Sequence, residues 1–424
     1  MVYVISKNGK PLMPCTNVIA RLLLKQGKAK VKRKTPFTIK LLYDTTEYTQ
    51  ELTLGMDTGS SHIGSAVSTN EGNIVYMSDV TIRNDITGKM KQRVKYRRNR
   101  RNRKTRYREA RWLNRKNSIK SGRFSPTMFS KFHSHEKEIK FAKSILPITR
   151  LVVETATFDP HLMKNPNLNN PVYRHWGYQQ GNNYGFENTK AKVLNRDNYI
   201  CQYCKCKKKD SKLEVHHIIY RSKGGSDEEE NLITLCHTCH SDLHHDKIKM
   251  KLNGKAKGQL KHATQMNSIR MQLLRKHPEA IETFGYITKA NRLSLGVDKD
   301  HCLDACVIAS GGKAVNLQTD KVVYKRCVSD GDYQQTKGIR SEQRIPTNKI
   351  QGFRKFDKVK YLGKEYFIKG RMSSGYAVLM DINGNKADFS NAPKGFKTPK
   401  LNMCKRIGAR KTWIMSEQVI QNIA

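Results

Sequence analysis

Residues 52–80 read LTLGMDTGSSHIGSAVSTNEGNIVYMSDV. Three strand-like runs lie inside this stretch, at 52–57, 62–69 and 73–80. Each is short, apolar and bounded by turn-forming residues, and Asn70-Glu71-Gly72-Asn73 joins the last two. The pattern predicts a three-stranded meander. Asp57 closes the first run, just before Thr58-Gly59, so a carboxylate is expected at a strand end.

Upstream, the first 50 residues predict a small unit of their own. VYVIS and TIKLLY alternate like strands, and VIARLLLKQGKAKV reads as a helix halted by Gly27. Pro11-Leu12-Met13-Pro14 reads as a turn between the first strand and that helix.

Downstream, residues 89–123 hold 17 Lys and Arg against one acid, Glu109, with no Pro or Gly before Gly122. A helix basic on nearly every face cannot bury itself in a protein core. It is either a solvated charge run or a helix lying along a nucleic-acid backbone. The second reading is preferred because Arg presents a planar fork to phosphate. Its candidate contacts are Arg93, Arg97, Arg98, Arg100, Arg101, Arg103, Arg106, Arg108 and Arg111.

Residues 135–147 predict an amphipathic helix leading into RLVVE, a strand ending at Glu154. An Asn-rich loop, KNPNLNNPVY, follows; Tyr173, Trp176 and Tyr178 at its end either stack on bases or pack. Residues 255–277 read as a basic helix, 284–296 as strand-like, and LDACVIAS (303–310) as a helix. From about 316, basic Gly-rich alternating runs predict a small β-barrel or sheet.

The 424 residues carry 80 Lys and Arg against 36 Asp and Glu, a net charge of +44. Such a charge opposes compact folding unless a polyanion neutralises it. Nucleic acid is the first-choice partner and an acidic membrane surface the second. The length suggests about two to four domains. No apolar run approaches the ~18 residues of a transmembrane helix. MVYVISKNGKPLMP does not read as a signal peptide. Five of the ten cysteines, Cys201, Cys204, Cys206, Cys236 and Cys239, fall within 39 residues, which reads as metal binding in the reducing cytoplasm.

Cys201 and Cys204 form one C-x-x-C knuckle, Cys236 and Cys239 another. Four thiolates so spaced suit a closed tetrahedral zinc site, with Cys206 a surplus thiol. His216 and His217 are adjacent on a predicted strand, so they face opposite ways. His240 and His244 share a helical face at i, i+4. One strand imidazole and the two helix imidazoles suit a divalent ion with open positions, leaving the other strand histidine to take a proton from water. Asn231 is placed to orient that base. Surface histidines on a structural zinc ribbon are the plainer alternative.

This module resembles the HNH (ββα-metal) nucleases. The resemblance implies His217 as general base, Asn231 as the residue that orients it, and His216, His240 and His244 as ligands of one catalytic Mg²⁺. Asp57, Glu154, His301 and Asp304 form a second set of metal-binding types, the last two at i, i+3 in KDHCLDA. A strand-end carboxylate alone says little; several converging ones suit two Mg²⁺ ions. A meander opening on Asp57 is also the start of an RNase H-like fold. The set resembles a RuvC-type nuclease domain split into three segments, and implies these four residues as its catalytic metal ligands.

The order of parts is similar to that of type II CRISPR effector nucleases. It fits better their compact, transposon-encoded relatives, the IscB proteins, whose small N-terminal domain is named for a literal PLMP. The implied fold is α/β and multidomain: a PLMP domain at 1–50, RuvC-like segments at 51–88, 124–187 and 251–325, an Arg-rich bridge helix at 89–123, an inserted HNH domain at 188–250, and a β-rich C-terminal domain at 326–424. The resemblance implies a monomeric ribonucleoprotein: a long noncoding guide RNA in place of a large helical lobe, double-stranded DNA as target, and no membrane. It implies an RNA-guided double-strand endonuclease, with the HNH site cutting the guide-paired strand and the RuvC-like site the displaced one. A protein-guided HNH endonuclease leaves the second site unexplained. A non-catalytic zinc-ribbon RNA-binding protein leaves the histidines idle.

Overall fold

The computed structural model describes residues 1–101, 124–181, 183–205, 212–221, 225–245, 247–248, 260–329 and 349–420. The chain divides into two compact units, Met1–Ala156 with Met266–Ala424, and Thr157–Gln265. Among the described residues, no helix is long and apolar enough to cross a membrane.

The first unit opens with β1 (Val2–Ile5), β2 (Pro11–Cys15), α1 (Asn17–Lys25), β3 (Ala29–Arg33) and β4 (Thr38–Leu41). They build a four-stranded sheet ordered β2-β1-β4-β3, with a core that includes Val2, Val4, Ala20 and Ile39. Gly27, just past α1, takes a φ of +69°, so the helix stops where expected. Pro11–Pro14 is not the expected turn. It lies in strand β2, antiparallel to β1, with Leu12 opposite Val4. β2 is an edge strand, where a missing N–H costs no ladder bond.

The meander follows as β5 (Leu52–Asp57), β6 (His62–Thr69) and β7 (Asn73–Thr81). The basic stretch begins as α2 (Ile86–Arg101), on which Arg93, Arg97 and Arg98 are exposed. The side chains of Arg100 and Arg101, and all of Arg103, Arg106, Arg108 and Arg111, lie outside the described residues. α3 (Pro126–Lys143) starts at Ser125, whose hydroxyl accepts from the Met128 N–H. β8 (Ile148–Thr155) then runs parallel to β5.

The second unit holds α4 (Pro160–Lys164), α5 (Pro171–Gln179), α6 (Thr189–Arg196), β9 (Leu213–His217), β10 (Leu232–Cys236) and α7 (His237–His244). The Asn-rich stretch is therefore largely helical. Asn165 and Asn170 spend their side chains on helix N-caps, a use that composition alone does not separate from a loop.

The first unit resumes at Met266, inside α8 (Lys261–Lys276), and continues with β11 (Ile281–Phe284), α9 (Gly285–Ser294), α10 (His301–Ser310), β12 (Asn316–Leu317), β13 (Lys321–Cys327), β14 (Lys358–Tyr361), β15 (Lys364–Arg371), β16 (Ala377–Met380), β17 (Lys405–Gly408) and β18 (Trp413–Val419). Residues 285–294 are helical where strand-like runs were expected. An eight-stranded sheet runs β11-β8-β5-β6-β7-β13-β18, with β12 beside β7. β5, β8 and β11 are parallel, while β5, β6 and β7 alternate. β14 to β17 form a separate open sheet rather than a barrel, and β18 leaves it to pair with β13.

Helices cover the large sheet. Residues of α3 and α8, among them Ile139 and Leu273, pack with Leu52, Leu54 and Met56. α10 packs with Ala66, Ile74 and Met77. Two glycines let α10 approach: a Cβ on Gly55 would lie 2.4 Å from Ala309 N, and one on Gly64 would lie 1.8 Å from His301 O. That close seat presses the first residue of α10 against the end of β5.

Between this sheet and α3, Lys325 of β13 and Glu138 of α3 form a fully buried ion pair, with Lys325 Nζ 2.7 Å from each carboxylate oxygen. Ser65, Ser78 and Tyr76 also donate to Glu138 Oε1. Burial pulls Lys325 down to about 8, against the pull of the Glu138 charge.

Candidate metal centres

Among the described residues the second unit gathers two clusters, three histidines and four cysteines, and the first unit holds a looser set of acids with His301. In the second unit, β9 and β10 pair antiparallel, with His216 opposite Ile233 and His217 opposite Leu232. α6 braces this hairpin: Arg196 donates to the carbonyls of Glu229 and Leu232 at 2.6 and 2.8 Å. Strand alternation turns His216 inward and leaves His217 half-exposed. α7 then brings the half-buried His240 and the exposed His244 up to His216. Their Nε2 atoms lie 3.2 Å apart, and the His216 ring centroid is 5.2 and 5.1 Å from theirs. The ligand atoms of the three histidines all lie within 4.8 Å of one another. Burial, reinforced by the neighbouring imidazoles, pushes His216 down to about 4. A neutral imidazole presents a lone pair, so this donor set suits a divalent metal with open positions.

Two carboxylates that the motif did not single out hold these rings. Glu214 Oε2 lies 2.7 Å from His240 Nδ1, leaving Nε2 to face the cluster. Glu214 sits two residues before His216 on β9, and the period of a strand was the available signal. Asp227 Oδ1 lies 2.8 Å from His217 Nε2 and 2.6 Å from Arg221 Nε. Asp227 comes from a loop, where no periodicity marks it. Asn231 was expected to orient His217. Instead its buried amide bonds the Ile219 N–H and the carbonyls of Ile219 and Ser226. The amide is thereby spent on backbone groups of the loop that follows β9.

Cys201, Cys204, Cys236 and Cys239 converge beside this hairpin, their Sγ atoms within 4.8 Å of one another. Cys204 and Cys236 Sγ are 4.0 Å apart. Tetrahedral zinc–thiolate bonds of about 2.3 Å place sulfurs about 3.8 Å apart, so the residues fit that ion. Cys206 lies outside the described residues.

The other centre stands at the end of β5. Asp57 and Glu154 are register partners on the parallel strands β5 and β8. His301, first in α10, places Nδ1 2.5 Å from Asp57 Oδ2. Asp304, one turn on, lies 3.1 Å from Arg292 Nε. Burial raises Glu154 to about 7, and the charges of Asp57 and Asp304 add to the rise. Burial, with the Asp57 charge, also raises Asp304. Glu154 Oε2 is buried without a hydrogen-bond partner. A buried, unpaired carboxylate oxygen among other acids fits a cation. These carboxylates are not drawn as close as the three histidines, and no three of them meet the 4.8 Å spacing. His62 stacks on His301, ring centroids 5.5 Å apart, and stands 3.6 Å from Asp79. His62, Asp79 and Arg292 were not legible in advance.

Residues 201–246 match the HNH endonuclease family, and residues 2–181 match a family described as RRXRR protein. Anaredoxin of Nostoc sp. is 36% identical over 70 residues, 16% of this chain and 90% of Anaredoxin. The type IV methyl-directed restriction enzyme EcoKMcrA of Escherichia coli is 38% identical over 69 residues, 15% of this chain and 25% of that enzyme. Streptococcus thermophilus Cas9, solved in complex with the AGAA PAM, aligns with a TM-score of 0.34 and 11% identity, over 58% of this chain and 32% of that one. The second unit thus carries an HNH endonuclease domain.

Proposed function

We propose that this chain is an RNA-guided DNA endonuclease of the IscB type, and that its two centres cut opposite strands. The observation that carries the reading is the pairing of Asp57 with Glu154 on adjacent parallel strands, with His301 against Asp57, in a chain that also holds an HNH module. An HNH enzyme acting alone needs no such second centre. The strand order β7-β6-β5-β8-β11, three alternating and three parallel, supports an RNase H-like reading of that sheet.

His217 takes the proton of the attacking water as the phosphorus–oxygen bond to the leaving group breaks. Asp227 positions its ring, and Glu214 positions His240. One Mg²⁺ would be held by His216, His240 and His244, two by Asp57, Glu154, His301 and Asp304, and a structural Zn²⁺ by the four cysteines. Bound there, the catalytic cations supply stabilisation of charge on the scissile phosphate and its leaving oxygen. The HNH centre is assigned the guide-paired strand and the RuvC-like centre the displaced one.

The net charge of +44 and the acid-free α2 support a large polyanionic partner, read as a long guide RNA. Base pairing would then supply sequence specificity, the protein reading duplex shape and a short flanking motif. The reading also implies a monomeric, cytoplasmic ribonucleoprotein. One observation favours a protein-guided HNH endonuclease: 69 residues match a restriction enzyme at 38% identity. Expression with the native flanking locus, high-salt purification and sequencing of bound RNA separates the two. A single abundant noncoding species with a variable end supports guidance. Random cellular RNA on a protein that still cuts DNA supports the alternative.

A further inference from the structure

α5 turns a stripe of apolar and aromatic side chains to solvent. Val172 is 84% exposed, Trp176 61% and Tyr173 38%. Positions 172, 173 and 176 share one helical face. The exposure of Val172 and Trp176 is built in, because the helix is pinned elsewhere, with Tyr173 lying partly against Gly177. Gly177 seats so closely that a Cβ would lie 2.3 Å from Leu168 Cδ2. The Tyr178 hydroxyl donates to Asp159, and the Val172 N–H donates to the capping Asn170. His175 and Trp176 meet in a T-shaped pair, ring centroids 5.6 Å apart, and the Trp176 side chain stays largely exposed.

The surroundings select the occupant. From Pro160 to Phe186 the sequence contains no Asp or Glu, in a chain of charge +44. An exposed aromatic side chain in an acid-poor run, where Asp159 is engaged by the Tyr178 hydroxyl, matches a polyanion that carries its own rings. We propose that the Val172–Trp176 face of α5 is a stacking platform for an unpaired base of a nucleic-acid strand. Every base has a π-face, so the platform tolerates any sequence and requires only that the base be out of a duplex. The helix shares its compact unit with the histidine centre. The inference rests on the chain acting on nucleic acid. It does not depend on RNA guidance or on either cleavage centre.

The test is fluorescence anisotropy of the full chain with a labelled single-stranded oligonucleotide and with the matching duplex, across a salt titration. Trp176→Ala is expected to weaken single-strand binding about 5- to 150-fold, the loss of one stacked base. The salt slope and the duplex affinity stay at wild-type values, and Trp176→Phe retains most of the affinity. Circular dichroism checks that both variants fold. Equal single-strand affinity in Trp176→Ala and wild type, or equal weakening toward both probes, overturns the platform. Failure of the wild type to bind either probe would contradict the nucleic-acid reading itself.

Discussion

His301 Nδ1 lies 2.5 Å from Asp57 Oδ2, although 244 residues separate them. The contact exists because Gly55 and Gly64 admit α10 onto β5 and β6. It raises His301 from its usual 6.5 to about 8, chiefly through the hydrogen bond to Asp57. A raised histidine favours the folded, protonated form. Its stabilising contribution is therefore complete below pH 6.5 and lost as pH climbs through about 8. In chelator, the stability gap between wild type and His301→Ala should be larger at pH 6 than at pH 9. The side chain is half-exposed, so solvent screening limits the difference to less than about 1 kcal/mol. Urea melts at the two pH values check this, and a gap that widens with pH contradicts the pair.

Gly64→Ala tests the same seat by shape. Its new Cβ would stand 1.8 Å from the His301 carbonyl, which is backbone and cannot swing aside. α10 must shift and carry His301 and Asp304 with it. Cutting by the RuvC-like centre should fall at least about 100-fold, as expected of a misplaced catalytic group. Cutting by the HNH centre should persist. Strand-labelled substrates resolve the two activities.

Cys201 is wholly buried beside Cys236 and Cys239. Cys201→Ser should take bound zinc from about one equivalent per chain to nearly none, with loss of the HNH module's own thermal transition. Metal analysis after dialysis is the measurement. Unchanged zinc removes Cys201 from the ligand set.

Glu214 bonds His240 Nδ1 at 2.7 Å. Glu214→Ala should weaken metal binding at the three-histidine centre about 10- to 100-fold and leave the four-cysteine zinc untouched. Calorimetric titration with Mn²⁺ as probe reports the first, and zinc content reports the second. Undiminished affinity would mean that the α7 backbone alone orients the ring.

The buried Lys325–Glu138 pair carries a stability prediction. Lys325→Met leaves Glu138 charged and unpaired in the core, a loss of about 3–5 kcal/mol. Adding Glu138→Leu should recover most of it, because the pair's worth is small once both charges are gone. Trp413 lies 5.0 Å from Lys325 Nζ and reports the melt by fluorescence.

Much of the fold was legible because its signals are local. The meander at 52–80, the strand expected to end at Glu154 and the helix expected at 303–310 each follow from apolar period and turn residues. The four cysteines and the pair His240 and His244 were legible from spacing, since metal ligands on a hairpin and helix keep short fixed offsets; the choice of His216 over His217 came from the HNH resemblance. What escaped was set by tertiary context. Pro11–Cys15 is a strand only because it lies at a sheet edge. Residues 285–294 are a helix that packs against α10. β18 closes the large sheet from the far end of the chain. Asp227 and His62 earn their places by approach in space, which no spacing records.

Strand-resolved cleavage of one guided target by wild type, Asp57→Ala and His217→Ala tests the central claim most directly. With the co-purified RNA as guide, wild type should give linear product. Asp57→Ala should nick only the guide-paired strand, and His217→Ala only the displaced strand. Linear product surviving in either variant, or both variants nicking the same strand, would contradict two centres with divided labour.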